Sequence, residues 1–150
     1  GAEARALDLL VRALGEAERD AREAAFAPVL ARIRPFLRLV QPEAELALAD
    51  DLSPRGLARA GREEPFAALS VGAREQLAAL VRLAFAEWLA EGGRPAMVVL
   101  DDALNHADEG RLERMQSALA LAARRVQVLV LTCRPRDWET AGAPIRRLGA

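Results

Sequence analysis

The sequence predicts an α/β domain: a small, mainly parallel sheet flanked by helices, with a helical or coiled-coil extension at its N-terminal end. Three observations predict it. Two continuous apolar runs, Ala96 to Leu100 and Val126 to Thr132, read as parallel strands covered on both faces. A segment with helical periodicity, Glu109 to about Arg124, lies between them and makes a strand–helix–strand unit, whose crossover is right-handed by rule. A Leu-rich segment, Gly72 to about Ala90, precedes both runs and ends at Gly92-Gly93-Arg94-Pro95.

Taken in order, the chain opens with Ala-, Leu-, Glu- and Arg-rich sequence from Ala2 to about Ala25. Leu7, Leu10, Val11 and Leu14 share one helical stripe, and good helix formers surround them. Beyond Gly15 the pattern turns polar, as on a solvated helix or the end of a coiled coil. Pro28 suits the first turn of a second helix, with Val29, Leu30, Ile33, Leu37 and Val40 as its apolar face and a bend at Pro35. Pro42 stops it. Residues 1–41 thus form a helical arm and connecting helix, and residues 42–150 the α/β part.

Glu45 to Ala49 alternates in polarity and, with the stretch around Leu57, suggests an antiparallel hairpin. In the Leu-rich helix, Leu77, Leu80, Val81, Ala84, Phe85 and Trp88 are expected in the core. Asp108 is placed to cap the helix that begins at Glu109, and a short last strand is expected near Pro144 to Leu148.

The totals set limits. A chain of 150 residues fits one domain with a real core. A formal charge of −1 gives no whole-surface attraction to nucleic acid or anionic membrane. Every basic side chain is Arg, so clusters of Arg carry less information here than in a chain of mixed composition. One cysteine, Cys133, excludes an internal disulfide framework and a multi-cysteine zinc site, and agrees with a cytoplasmic setting. No apolar run reaches the roughly 18–20 residues of a membrane helix, so no membrane partner is expected. A first residue of Gly1 rather than Met leads us to expect a piece of a longer protein.

Two features could carry chemistry. Asp101 and Asp102 end the run Met97-Val98-Val99-Leu100. Ligands in open α/β sheets gather beyond the carboxyl ends of the strands. One carboxylate there can hold Mg²⁺ through its waters and the next can orient a water. On the residues alone, a solvated loop fits equally well. The second feature is LSVGAREQ, Leu69 to Gln76, at the start of the long helix. Ser70 suits a cap, Gly72 permits close approach of a ligand, and the first-turn amides favour anions. Ser and Gly also start many helices that bind nothing.

Order and spacing add the rest. LSVGAREQ, one helix, MVVLDD, then NHAD (Asn105 to Asp108) and a second apolar strand resemble the C-terminal lobe of ABC-class P-loop ATPases, in particular the SMC, double-strand-break-repair and YhaN-like AAA family. The resemblance covers roughly Val40 to Leu148. It implies that Ser70 and Gly72 contact the γ-phosphate of ATP held by an opposing subunit. It implies further that Asp101 serves Mg²⁺, that Asp102 stands where a catalytic acid (more often Glu) polarises water, and that Asp108 ends a D-loop crossing a dimer seam. Arg74, Glu75 and Gln76 match the motif's tail, where packing and ligand contact are both open.

The chain departs from that pattern twice. A His usually follows the last core strand; here Leu131-Thr132-Cys133-Arg134-Pro135 stands there, so Cys133 or Arg134 takes that place: either Arg134 supplies positive charge to a phosphate, or the switch is lost and hydrolysis is weak. The single histidine, His106, falls in the D-loop, where an interface role is expected. Second, with no Lys in the chain, no G-x-x-x-x-G-K-S/T motif exists. The resemblance therefore implies a separate Walker A N-terminal lobe, joined through a coiled coil whose returning arm is the N-terminal helical region. It implies a homodimer or pseudo-dimer of heads acting on DNA through the complete protein, in repair or chromosome maintenance. The alternative is a non-hydrolysing ABC-like dimerisation or scaffold module. Cys133 at a strand end reads as structural; Trp88 reads as core, and Trp138 as a surface aromatic.

Overall fold

The computed structural model describes residues 2–49, 54–105 and 107–149. It is an α/β fold of three helices and two small sheets. Helix α1 (Ala2–Val40) leads into strands β1 (Ala44–Leu48), β2 (Pro54–Arg59) and β3 (Arg62–Pro65), which form an antiparallel sheet in that order. Helix α2 (Val71–Glu91) then precedes β4 (Met97–Asp101), α3 (Glu109–Ala122) and β5 (Gln127–Leu131). Strands β4 and β5 pair in parallel, from Met97 beside Gln127 to Asp101 beside Leu131. The parallel part is thus a pair, smaller than the sequence suggested.

The expected interruption near residues 25–28 does not occur. Helix α1 runs unbroken through Pro28 and Pro35. A proline inside a helix costs about 3 kcal/mol, so something must offset it. The last turns supply that offset: Val29, Ile33, Phe36, Leu37 and Val40 are all buried in the core shared with α2 and α3. Arg32 of the same segment donates to the Pro28 carbonyl at 2.6 Å. The first two thirds behave differently. From Ala4 to Ala27 every residue is exposed, and the stripe Leu7, Leu10, Val11 and Leu14 has no partner among the described residues. Ion pairs Arg12–Asp8 and Arg22–Glu18 brace that length from the side.

The expected hairpin is present, with a third strand, β3, that alternation in the sequence did not reveal because all four of its residues are exposed. Gly56 is required where β2 meets β3: a Cβ there would collide with the Glu64 carbonyl.

Helix α2 buries Leu77, Leu80 and Ala84 as expected, and Leu83 as well; Val81 is half-buried, and Phe85 and Trp88 are each 38% exposed. They make an edge-to-face pair instead, with centroids 6.2 Å apart. Strands β4 and β5 are covered on one face only. Val98 and Leu100 point into the core, whereas Met97, Val99 and Leu129 stay exposed. The continuous apolar run therefore hides a one-sided strand. No strand forms near Pro144 to Leu148, which is irregular. Among the described residues no helix is long and apolar enough to cross a membrane.

A charged clasp closes the base of the body. Glu91, at the end of α2, accepts from Arg32 of α1 and, at 3.1 Å, from Arg125 just before β5. The Arg32 contact holds the Glu91 carboxyl below its ordinary pKa. One turn earlier, Glu87 is 7% exposed. Burial raises its pKa above the ordinary 4.5 by more than Arg125 lowers it, and Glu91 adds to the rise.

Two expectations follow. Phe36→Ala should cost about 3–5 kcal/mol in urea unfolding of this chain, whereas Leu10→Ala should cost less than about 0.5. For Glu87, the folded pKa exceeds the unfolded one, so its favourable contribution is complete below the unfolded value and is lost as pH rises through the folded value. Glu87→Gln should accordingly raise Tm near pH 7, with the gap closing below about pH 4; thermal melts at the two pH values check it.

Candidate functional site

The site lies at the carboxyl ends of β4 and β5. The ladder between these strands continues one residue past Asp101, because the Asp102 N–H donates to the Leu131 carbonyl at 2.9 Å. The chain then turns sharply. Asp102 takes a φ of 45° and Leu104 one of 70°, left-handed values that cost a non-glycine residue about 1–2 kcal/mol. Two contacts hold this turn. Leu104 is buried in the core, and its carbonyl accepts the Ala107 N–H at 3.1 Å.

The turn aims Asp102 at the neighbouring strand tip. Its carboxylate accepts the Cys133 N–H at 3.2 Å. That amide, then the Cys133 thiol and the Asn105 side chain, hold the Asp102 carboxyl below the usual range, so it stays ionised. Asp101 is exposed at the strand end and has no ion-pair partner among the described residues. Arg134 closes the group: its guanidinium donates to the Asn105 carbonyl at 3.3 Å and pairs with Asp137 at 2.8 Å. Asp101, Asp102 and Arg134, three of the residues expected to act, therefore share one end of the parallel pair.

Ser70 caps α2, with its hydroxyl accepting the Ala73 N–H at 3.2 Å. First-turn amides have no acceptor inside a helix; Ser70 takes that of Ala73, which leaves those of Val71 and Gly72 for other groups. Ser70 is exposed and Gly72 buried. After Glu91 the chain reverses, and α2 and β4 share a groove that takes in Val81 to Leu89 and Ala96 to Val99. With rises of about 1.5 and 3.3 Å per residue, Ser70 lies roughly 16 Å beyond Val81, and Asp102 roughly 10 Å beyond Val99. Along the chain, Ser70 heads α2 and Asp102 follows β4, each at the end of its element away from the reversal after Glu91.

Other expected residues have different surroundings. Asp108 caps α3, accepting the Arg111 N–H at 2.8 Å and pairing with the Arg111 side chain at 3.1 Å. Gln76, in the motif's tail, is buried; Gln41 donates to it at 3.5 Å and its own amide nitrogen is unpaired, so it serves packing. Arg74 is exposed. Cys133 is exposed rather than enclosed by the strand end, and Trp138, expected at the surface, packs against the core. His106 lies outside the described residues.

Asn105, Gln116 and Asp137 are the participants that sequence reasoning missed. The spacing Arg134-Pro135-Arg136-Asp137 was the available signal, since residues three apart meet in a single turn. Among the described residues no three His, Cys, Asp or Glu side chains cluster as a metal site. Asp101, exposed at the strand end, is the carboxylate that would hold Mg²⁺ there, the rest of its shell coming from water and phosphate.

No protein-family model matches the chain. Over 98 residues it is 39% identical to proteins titled uncharacterized from Mycobacterium tuberculosis (Rv1278) and Mycobacterium bovis (Mb1309). The match takes in 65% of this chain and 11% of each relative, so most of each relative lies outside it.

If the cap is the only role of the Ser70 hydroxyl in the isolated chain, Ser70→Ala should lower its stability by about 1 kcal/mol and Ser70→Gly by a few tenths, as denaturant titration would show.

Proposed function

We propose that this chain is the C-terminal lobe of an SMC-like, ABC-class ATPase head. In this reading it completes an ATP–Mg²⁺ site with a separate Walker A lobe and drives ATP-dependent dimerisation of heads, in DNA repair or chromosome maintenance. The observation that carries the reading is the acidic end of β4, where Asp102 accepts the Cys133 amide beside Arg134.

Two further features support it. The β4–β5 pair leaves Met97, Val99 and Leu129 uncovered, and parallel sheets ordinarily have both faces packed. A body completed by another lobe accounts for that. The relatives also extend far beyond the matched stretch, which leaves room for a Walker A lobe and a coil.

In the proposed site, Asp101 holds Mg²⁺, which supplies charge neutralisation on the phosphates when bound. Asp102 orients the attacking water. Ser70 and Gly72 present the first turn of α2 to the γ-phosphate of nucleotide carried by the opposing head. Asp108 sets the loop that reaches the seam, through its cap on α3.

A second reading, a non-hydrolysing dimerisation or scaffold module, is favoured by one observation. Asp102 is shorter than Glu, and its carboxylate already accepts the Cys133 amide.

Turnover separates the two. The complete protein should hydrolyse ATP only with Mg²⁺, and Asp102→Asn should reduce the rate by about 100-fold or more while nucleotide-bound dimers persist. ATP binding and dimerisation without turnover in the wild type would favour the scaffold. A wild type that neither binds nor hydrolyses ATP would overturn both readings.

A further inference from the structure

Arg134 stands one residue beyond Cys133 at the tip of β5, and contacts from separate elements set its side chain. Its Nε pairs with the Asp137 carboxylate at 2.8 Å. Its Nη1 donates to the Asn105 carbonyl at 3.3 Å, on the loop that follows β4. Its backbone N–H donates to Thr132 Oγ1 at 3.0 Å.

Asp137 is anchored in turn. The short 3₁₀ turn Pro135–Trp138 carries it, and its N–H donates to the Arg134 carbonyl at 3.2 Å. Its own carbonyl accepts Gln116 Nε2 from α3 at 2.7 Å. The next residue, Trp138, packs on the core.

A guanidinium has five N–H donors in a rigid plane. Asp137 and Asn105 engage Nε and Nη1, while Nη2 has no partner among the described residues. The Arg134 side chain is 53% exposed. An exposed ion pair of this kind contributes little to stability. Its consequence is geometric: Nε and Nη1 face opposite sides of the group, so contacts at both set its plane and leave the two Nη2 N–H donors for an anion.

We propose that Asp137, braced by Gln116, is the positioning residue that holds the Arg134 guanidinium ready for the terminal phosphate of the nucleotide. This rests on the ATPase-head reading and deepens it, by naming the phosphate-facing cation and its support. It also gives the loop after β4 a direct connection to that cation, through the Asn105 carbonyl.

The test has two readouts. In NMR spectra of the 150-residue chain, the Arg134 Nε–H should exchange with solvent more slowly than that of Arg136, as expected for a group paired with a carboxylate 2.8 Å away. Asp137→Asn should remove most of that protection, Gln116→Ala part of it, and Asp137→Glu should restore it in part. In the complete protein, Asp137→Asn should weaken binding of ATP–Mg²⁺ about five- to tenfold, approaching the loss in Arg134→Ala. An Nε–H in the wild type as labile as that of Arg136 overturns the inference. So does an Asp137→Asn variant with unchanged exchange, or one with wild-type ATP affinity. A wild-type protein that binds no nucleotide overturns the phosphate role and the ATPase-head reading together. That failure is recognisable, because the Nε–H still distinguishes wild type from Asp137→Asn.

Discussion

At the far end of the β4–β5 pair the two strands exchange hydrogen bonds through a single residue. Asp102 gives its N–H to the Leu131 carbonyl and receives the Cys133 N–H on its carboxylate. The exchange extends the parallel ladder past the strand end and holds Asp102 in a backbone conformation it would not otherwise keep. It leaves Asp101 facing outward and brings Arg134 against the loop that follows β4. Without it, the two acids would head an unconstrained loop, and neither Arg134 nor Asn105 would have a fixed place beside them.

The elements on either side give this tip a rigid base. Leu83, Leu100 and Met115 are fully buried between α2, β4 and α3, so the strand beneath Asp101 cannot shift freely. At the opposite end, Glu91 joins Arg32 of α1 to Arg125, two residues before β5. Helix α1 is therefore two things in one element. Its last turns are core, and its first two thirds project with an apolar stripe uncovered.

Much of this was legible in the sequence. The two strands expected over Ala96 to Leu100 and Val126 to Thr132, the long helix after Ser70 and the Asp108 cap are all local: each follows from periodicity or from one side chain satisfying one amide. The acidic strand end and the Ser70–Gly72 helix start were readable for the same reason. What remained hidden depends on contacts distant in sequence. The continuity of α1 through two prolines is decided by burial of Phe36 and Leu37 against other elements, which no helical propensity reports. The one-sided covering of β4 was masked because Met97 and Val99 are apolar although exposed. The anchoring of Arg134 depends on Gln116, a residue of α3 with nothing unusual around it.

The central claim is that a helix tip and a strand tip meet one nucleotide from two heads. A structure of the complete protein's dimer with a slowly hydrolysed ATP analogue and Mg²⁺ tests it most directly. We expect Ser70 Oγ of one protomer within about 3.5 Å of a γ-phosphate oxygen, with the metal near Asp101 on the head that carries the nucleotide. Nucleotide bound elsewhere, or Ser70 facing solvent in the nucleotide-bound dimer, would contradict it.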